Sequence, residues 1–345
     1  MKKLIPLLAC ATLVVAAPLS AQEPKPAPAP GEIVASARAE EWLAIAPSDL
    51  LVMDLSPDAK GKPRRMVIQL MSPPFSQGWI GNIRKLAAAK WWDGTSINRV
   101  QDNYVVQWGD ATEKKALPDG LVVMSGNVSL SDGTTRKSYE QMIGTLVSEL
   151  GGHQIDTDII DQLTKMRWQS RLSDEPSRPK RFSADSYADK TLHYRGWPIG
   201  FSDQDDGAWP THCYGMVGVG RNPSPDTGTG AELYTVIGHA PRHLDRNIAL
   251  VGRVIEGIEY LSSLPRGTGA LGFYEKEEER VPIVSVRLGD EATDVPAFEY
   301  LSTESASFAA YADARANRRD PFFNVPAGGA DICNIPVPMR RKVEN

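Results

Sequence analysis

Histidine and cysteine are scarce in this sequence, which has 5 histidines and 3 cysteines in 345 residues. The histidines lack the paired spacing of a zinc site and no dinucleotide-binding fingerprint is present, so we expect neither a metal nor a cofactor. Cys213 directly follows His212, and adjacent residues of a strand point to opposite faces, which favours a structural cysteine over a cysteine hydrolase. Cys213 and Cys333 can form one disulfide in an oxidising compartment, but the sequence does not decide whether they meet.

Long apolar runs are also lacking, with one exception at the start of the chain. Lys2 and Lys3 lead into an apolar run over residues 4–19, the pattern of a secretory signal peptide spanning residues 1–21. A lipoprotein signal ending at Cys10 is the alternative, which the short apolar stretch before that cysteine disfavours. Since no other run reaches the ~20 apolar residues that cross a bilayer, we expect a soluble protein of the bacterial periplasm.

Positive charge is in deficit as well. The formal net charge of −5 becomes −7 once Lys2 and Lys3 leave with the signal peptide. A protein of this charge does not attract nucleic acid or anionic lipid electrostatically, so we expect neither as a partner. The oligomeric state cannot be derived from the sequence.

Composition divides the mature chain into a linker, a main domain and an extension. Residues 22–32 alternate proline with other residues, which is typical of an extended linker without a core. Residues 33–290 form the main domain, with an insertion at about residues 113–211, and residues 291–345 form a C-terminal extension. We expect the extension to pack on the domain, because four of its apolar residues gain free energy by burial; these are Phe322, Phe323, Ile332 and Ile335.

The main domain has the pattern of a mainly β fold. Short β-branched segments are separated by Gly, Pro, Asp and Asn, and many short strands with few helices are typical of a barrel or a sandwich. Predicted strands cover residues 49–55, 66–70, 97–108, 121–124, 215–219, 232–237, 250–255 and 281–288. Predicted helices cover residues 33–43, 79–90, 139–150, about 157–163 and 305–315, and residues 171–193 are predicted to form a polar loop.

Six segments resemble, in the right order, the motifs of cyclophilin-type peptidyl-prolyl cis/trans isomerases. The sequence Ile97-Asn98-Arg99-Val100, followed by Tyr104-Val105-Val106-Gln107-Trp108-Gly109-Asp110, is similar to the active-site strand of that family. The other matches are residues 66–70, 82–86, 215–220, 231–236 and 244–258. The resemblance implies a closed antiparallel β-barrel with capping helices, the helical insertion and the C-terminal extension being additions to it.

The resemblance also implies isomerisation of X–Pro bonds in proline-containing segments of exported or unfolded proteins. Rotation about such a bond meets a barrier of ~18–20 kcal/mol, and a site that binds the twisted amide better than the planar forms is sufficient for catalysis. By this resemblance Arg99 donates to the pyramidal prolyl nitrogen and Gln107 orients the substrate backbone. Their spacing of eight residues places both on one face of an uninterrupted strand, a parity that a break at residues 101–103 would change.

An apolar cup for the proline ring is implied by the same resemblance. The residues assigned to substrate binding are Tyr104, Val105, Glu232, Tyr234, His243 and Leu244. Several positions depart from the family pattern: Tyr104 and Tyr234 replace phenylalanine, Val105 replaces methionine, Glu232 replaces glutamine, His243 replaces tryptophan, Ile248 replaces histidine and Trp108 replaces glycine. Each tyrosine adds a hydroxyl that needs a partner, and Glu232 brings a negative charge that can pair with Arg99.

Two other functions remain open. The first is a catalytically weak or inactive cyclophilin-like chaperone or binding module of the cell envelope, which the departures at the site favour. The second is a cysteine hydrolase built on Cys213.

Overall fold

The computed structural model describes residues 26–124, 185–202 and 207–342. The predicted signal peptide and the predicted helices at residues 139–150 and 157–163 lie outside these ranges. The strands are β1 (Trp42–Ala44), β2 (Leu50–Leu55), β3 (Arg64–Leu70), β4 (Ser96–Val100), β5 (Val105–Gly109), β6 (Lys190–Tyr194), β7 (Trp197–Ser202), β8 (Gly207–Pro210), β9 (Met216–Val219), β10 (Leu233–Val236), β11 (Leu250–Glu256), β12 (Val281–Leu288), β13 (Phe298–Leu301) and β14 (Met339–Arg341). The α-helices are α1 (Pro30–Ala35), α2 (Gln77–Ala88), α3 (Glu259–Ser262) and α4 (Ala306–Ala316).

Eight strands close an antiparallel barrel in the order β10-β5-β4-β12-β2-β3-β11-β9. Successive side chains of a strand alternate between the two faces, so Leu51, Met53 and Leu55 of β2 enter the barrel core while Leu50 packs outside it. Trp108 is 1 % exposed and belongs to the barrel core, which explains the bulky residue at this position. The predicted closed antiparallel barrel is confirmed.

Helix α2 covers the barrel and confirms the predicted helix at residues 79–90. Ile80, Ile83, Leu86 and Ala87 recur at helical spacing and are all buried in the main core. The short helix α3 lies against β3. Within the described residues no helix combines the length and apolarity that crossing a bilayer requires.

Three predicted elements are wrong in their bounds. Residues 97–108 form two strands, because the chain turns at Asn103 and Gln101 donates its backbone N–H to the Val105 carbonyl. Residues 121–124 are a loop, since the Asn82 side chain rather than a neighbouring strand pairs with both backbone groups of Val122. The helix predicted over residues 33–43 ends at Ala35, because β1 pairs with β13 instead.

The strands β1, β13 and β14 form a separate three-stranded sheet, which packs with α1 and α4 around a second core. This arrangement joins residues before the barrel to the C-terminal extension. The predicted helix at residues 305–315 is confirmed as α4, which Ser305 caps by accepting from the Phe308 N–H. Ile332 and Ile335 are buried as expected.

Burial of the phenylalanine pair in the extension was predicted wrongly. Phe322 is 84 % exposed and Phe323 is 38 % exposed. A turn in which Phe323 donates its N–H to Asp320 directs both rings outward, where Phe323 lies under the Arg318 guanidinium at 4.3 Å.

The predicted insertion contains a β-sheet at residues 190–210. Strands β6, β7 and β8 pair in sequence, and β6 occupies residues that were predicted as the polar loop. Trp197, Ile199 and Phe201 of β7 join the main core, so the sheet is attached to the barrel by apolar packing.

Cys213 and Cys333 form a disulfide. It joins the segment before β9 to the C-terminal extension across 120 residues of sequence. Because Cys213 is bonded in this way, it offers no thiolate, and the cysteine-hydrolase alternative loses its nucleophile.

Reduction of this disulfide should lower the free energy of unfolding by about 2–4 kcal/mol, because the cross-link restricts the unfolded chain over a long loop. Urea unfolding followed by tryptophan fluorescence, with and without a thiol reductant, measures the difference. The double variant Cys213→Ser/Cys333→Ser should unfold at the same urea concentration as the reduced wild type, and the reductant should not change its midpoint. Equal midpoints for oxidised and reduced wild type would contradict the prediction.

Candidate active site

A β-bulge in β4 turns Arg99 toward the outer surface of the barrel. Ile97 pairs with Trp108 and Arg99 pairs with Gln107, so Asn98 is an additional residue on this strand. Ile97 and Val100 can therefore both enter the core while Arg99 faces outward. A regular strand would not allow this arrangement, because its side chains alternate strictly.

Three acceptors hold the half-buried Arg99 guanidinium. Its Nε donates to the Leu271 carbonyl at 2.8 Å, its Nη1 donates to Gln107 Oε1 at 3.2 Å and its Nη2 donates to Gln101 Oε1. The guanidinium carbon also lies over the rings of Tyr104 (5.9 Å) and Phe273 (5.3 Å). Burial lowers the pKa of Arg99, but an arginine remains protonated in proteins.

Gln107 contacts Arg99 for a different reason from the predicted one. The two residues are direct partners across the β4–β5 hairpin, rather than residues on one face of a single strand. The chain turns between Arg99 and Gln107, so the two residues cannot lie on one face of a single strand. The antiparallel register of β4 and β5 nevertheless places them next to each other. Cross-strand partners lie side by side on one face of a sheet, which allows the hydrogen bond between these side chains.

An apolar cluster outside the barrel adjoins Arg99. Val105, Tyr234 and Val236 form its buried floor, with exposed fractions of 3 %, 4 % and 0 %. The half-buried Tyr104 and Ile248 pack against this floor. We call Tyr104 and Ile248 the rim of the cluster. An apolar ring placed here would contact mainly the rim, because the three floor residues are already buried.

Two further residues assigned to the cup lie on the turn Arg242–Leu244. His243 is exposed and stacks on Tyr104, with ring centroids 6.1 Å apart and planes inclined by 7°. Leu244 is half-buried and accepts backbone hydrogen bonds from Asn247 and Ile248. From this part of the chain, Ile248 belongs to the apolar cluster, whereas His243 and Leu244 do not. The sequence indicated Ile248 only as a departure from the family pattern.

The Tyr234 hydroxyl finds a protein partner. His212 Nε2 lies 2.9 Å from the hydroxyl oxygen, and Tyr234 is otherwise packed over Gly218. A Cβ at residue 218 would lie 2.3 Å from the hydroxyl and from Cζ, so only glycine leaves room for this ring. His212 was considered in the sequence only as a neighbour of Cys213, and no pattern indicated its contact with Tyr234.

Glu232 does not form the ion pair with Arg99 that its charge suggested. It accepts a hydrogen bond from the Asp110 N–H at 2.7 Å, and its carboxyl group lies directly over Gly109, where any Cβ would overlap it. Burial raises the pKa of Glu232 to about 7, although hydrogen bonds from Asp110, Asn98 and Gln107 oppose the shift. Within the described ranges, the acceptors of Arg99 are uncharged oxygens.

A polar cavity of about 510 Å³ also adjoins Arg99, and its lining shares no residue with the apolar cluster. Arg99, Gln107 and Glu232 line it together with Leu271 and Phe273. The last two residues were missed by the sequence analysis. The glycine-rich segment at residues 267–272 was the available signal, since such a loop lets backbone approach a site closely.

Comparison with protein-family models identifies the family of this chain. A family model described as cyclophilin type peptidyl-prolyl cis-trans isomerase/CLD matches residues 78–288. The chain belongs to this family. It carries a cyclophilin-type isomerase domain, and the family and fold expected from the sequence are confirmed.

One solved structure supports the fold assignment. Cyclophilin AquaCyp293 from Hirschia baltica is 20 % identical over 88 % of this chain and 94 % of its own, with a TM-score of 0.56. A cyclophilin type peptidyl-prolyl cis-trans isomerase from Cryptosporidium parvum, solved in the presence of the dipeptide Ala-Pro, is 9 % identical over 69 % of this chain and 98 % of its own. Its TM-score of 0.34 is too low to bear on the fold. A search of curated proteins finds no match.

Glu232 should make the stability of this cyclophilin fall as the pH rises from 4.5 to about 7. In this window the unfolded chain releases the Glu232 proton while the folded protein retains it, so the unfolded state binds fewer protons. The free energy of unfolding should fall by about 3 kcal/mol at most through this group. Chemical denaturation at a series of pH values measures the change.

Glu232→Gln should remove that part of the pH dependence and be more stable than the wild type above pH 7. Glu278→Gln, which changes an exposed glutamate, is the matched control and should keep the wild-type profile. Parallel profiles for wild type and Glu232→Gln would show that Glu232 ionises normally.

Proposed function

We propose that this protein accelerates cis/trans isomerisation of X–Pro bonds in exported or unfolded polypeptides, with Arg99 stabilising the twisted amide. The observation that carries the proposal is the position of Arg99 between an apolar cluster and a polar cavity, held by neutral acceptors. A cation held in this way keeps its charge available for substrate, which a salt bridge to a carboxylate would reduce.

The reaction needs no bond cleavage. As the amide twists, the prolyl nitrogen regains its lone pair and becomes a hydrogen-bond acceptor, so a fixed donor stabilises the transition state more than either planar form. Arg99 has five N–H groups, of which three are engaged by Leu271, Gln101 and Gln107 among the described residues. The other two N–H groups are proposed to donate to the substrate.

Gln107 and the apolar cluster are proposed to hold the substrate. Gln107 keeps Arg99 in place through Oε1, while its amide N–H group faces the cavity side, where Glu232 also lies. The proline ring is proposed to rest on Tyr104 and the neighbouring rim, with Leu244 and His243 on the adjoining turn. Since the substrate binds to a preformed surface, the protein loses little conformational entropy on binding.

The site of action is proposed to be the bacterial periplasm. The sequence of residues 1–21 has the features of a secretory signal peptide, and the disulfide Cys213–Cys333 fits an oxidising compartment. Proline-containing segments of proteins that fold after export are then the expected substrates.

Arg99→Ala should lower kcat/KM for a proline peptide by about 100-fold, because one fixed donor to the transition state is lost. Exchange NMR on a proline-containing peptide measures the rate without a coupled protease. Arg99→Lys should recover only part of the activity, since lysine lacks the planar fork that the three acceptors and the substrate share. Arg319→Ala, which removes an exposed arginine paired with Asp313, is the control and should retain full activity.

Equal rates for wild type and Arg99→Ala would contradict the assignment of Arg99. A wild type that binds the peptide without accelerating its isomerisation would identify the protein as a binding module. Full activity after Arg99→Ala together with loss of activity after Gln107→Ala would move the catalytic role to Gln107.

A further inference from the structure

A buried polar network lies beneath the apolar cluster, and the proposed mechanism does not use it. His212 is 0 % exposed and makes three contacts of hydrogen-bond length. Its backbone N–H donates to Asp245 Oδ1 at 2.8 Å, its Nδ1 lies 2.9 Å from the same oxygen, and its Nε2 lies 2.9 Å from the Tyr234 hydroxyl. The imidazole and phenol rings are inclined by only 12°.

The direction of each hydrogen bond follows from the donors available. Asp245 Oδ1 already accepts from the His212 backbone N–H and Asp245 Oδ2 accepts from Arg242 Nε at 2.5 Å, so both oxygens act as acceptors and His212 Nδ1 is the donor. Burial lowers the pKa of His212, which keeps the ring neutral and leaves Nε2 as an acceptor. The Tyr234 hydroxyl is therefore the donor to His212.

The network continues to parts of the chain that are distant in sequence. Arg242 pairs with Asp185 at 2.8 Å and lies 3.6 Å from Asp331 of the C-terminal extension. The Cys213–Cys333 disulfide attaches the residue next to His212 to the same extension. His212 is thus fixed through its ring, its backbone and its neighbour.

We propose that His212 is a positioning residue of the isomerase site, which holds the Tyr234 ring over Gly218 by accepting a hydrogen bond from its hydroxyl group. The proposal rests on the proposed function, because it assigns a role in that same site. A buried hydroxyl without a partner is costly, so Tyr234 keeps this orientation only while His212 is present. Without His212, the hydroxyl gains by turning toward water, and the ring then leaves the floor of the cluster.

His212→Leu tests this directly, because leucine has a similar volume and cannot accept a hydrogen bond. We expect kcat/KM for the proline peptide to fall about ten-fold, as the unpaired hydroxyl displaces the ring. In the Tyr234→Phe background there is no hydroxyl to displace the ring. Tyr234→Phe is the reference for this background, so His212→Leu/Tyr234→Phe should retain most of the kcat/KM of Tyr234→Phe and exceed that of His212→Leu alone.

His193→Leu is the matched control. His193 is also buried, but it contacts the Ile335 carbonyl at 2.9 Å rather than the site. Its loss should reduce stability in urea without changing kcat/KM. Urea unfolding of all five proteins shows that each is folded under the assay conditions.

Rescue by the second substitution supports the proposal, since a merely structural defect would not be reversed by removing another hydrogen-bonding group. An equal loss of kcat/KM in His212→Leu and in the double variant would overturn it, as would wild-type activity in His212→Leu. If His212→Leu does not fold, an NMR search for a slowly exchanging Tyr234 hydroxyl proton in the wild type decides the question, and its absence would overturn the proposal.

The proposed function can fail separately. A wild type without isomerase activity would refute that function, and peptide affinities of the same variants, measured by NMR titration, would then replace kcat/KM. The rescue pattern in affinity would support the positioning role of His212, whereas identical affinities of wild type, His212→Leu and the double variant would refute it.

Discussion

The orientation of one side chain depends on an irregularity in one strand. The bulge at Asn98 allows Ile97 and Val100 to complete the barrel core while Arg99 leaves the barrel wall. A guanidinium inside an apolar barrel would lose its hydration without adequate compensation, so the outward orientation is strongly favoured. The cross-strand register then places Gln107 beside Arg99, and the surrounding surface is organised around this pair.

The apolar and polar sides of this surface are supported in different ways. On the apolar side, Tyr234 lies over the space left by Gly218 and is joined to the buried network of His212 and Asp245. On the polar side, the carboxyl group of Glu232 lies over Gly109. In both cases a glycine allows a larger side chain from a neighbouring segment to cross it closely.

The C-terminal extension contributes to the support of the site as well as to a core of its own. Its strand β13 pairs with β1, which precedes the barrel, and with β14 on its other side. The Ile335 carbonyl oxygen accepts a hydrogen bond from His193 of the β6–β8 sheet. Cys333 and Asp331 reach the residues around His212 and Arg242. Elements added to the barrel are therefore joined to one another close to the buried side of the apolar cluster.

Sequence patterns were sufficient for the barrel, for helix α2 and for the family, because alternation, helical spacing and ordered motifs are local properties. They also identified Arg99, Gln107 and the tyrosines as candidates, although their roles remain predictions. Only the tertiary structure shows that Arg99 and Gln107 are partners across a hairpin and that Glu232 forms no ion pair with Arg99. It also shows the disulfide between Cys213 and Cys333 and the hydrogen bond between Tyr234 and His212. These contacts join residues far apart in the chain, and their geometry depends on strand register and close packing, which no local pattern encodes.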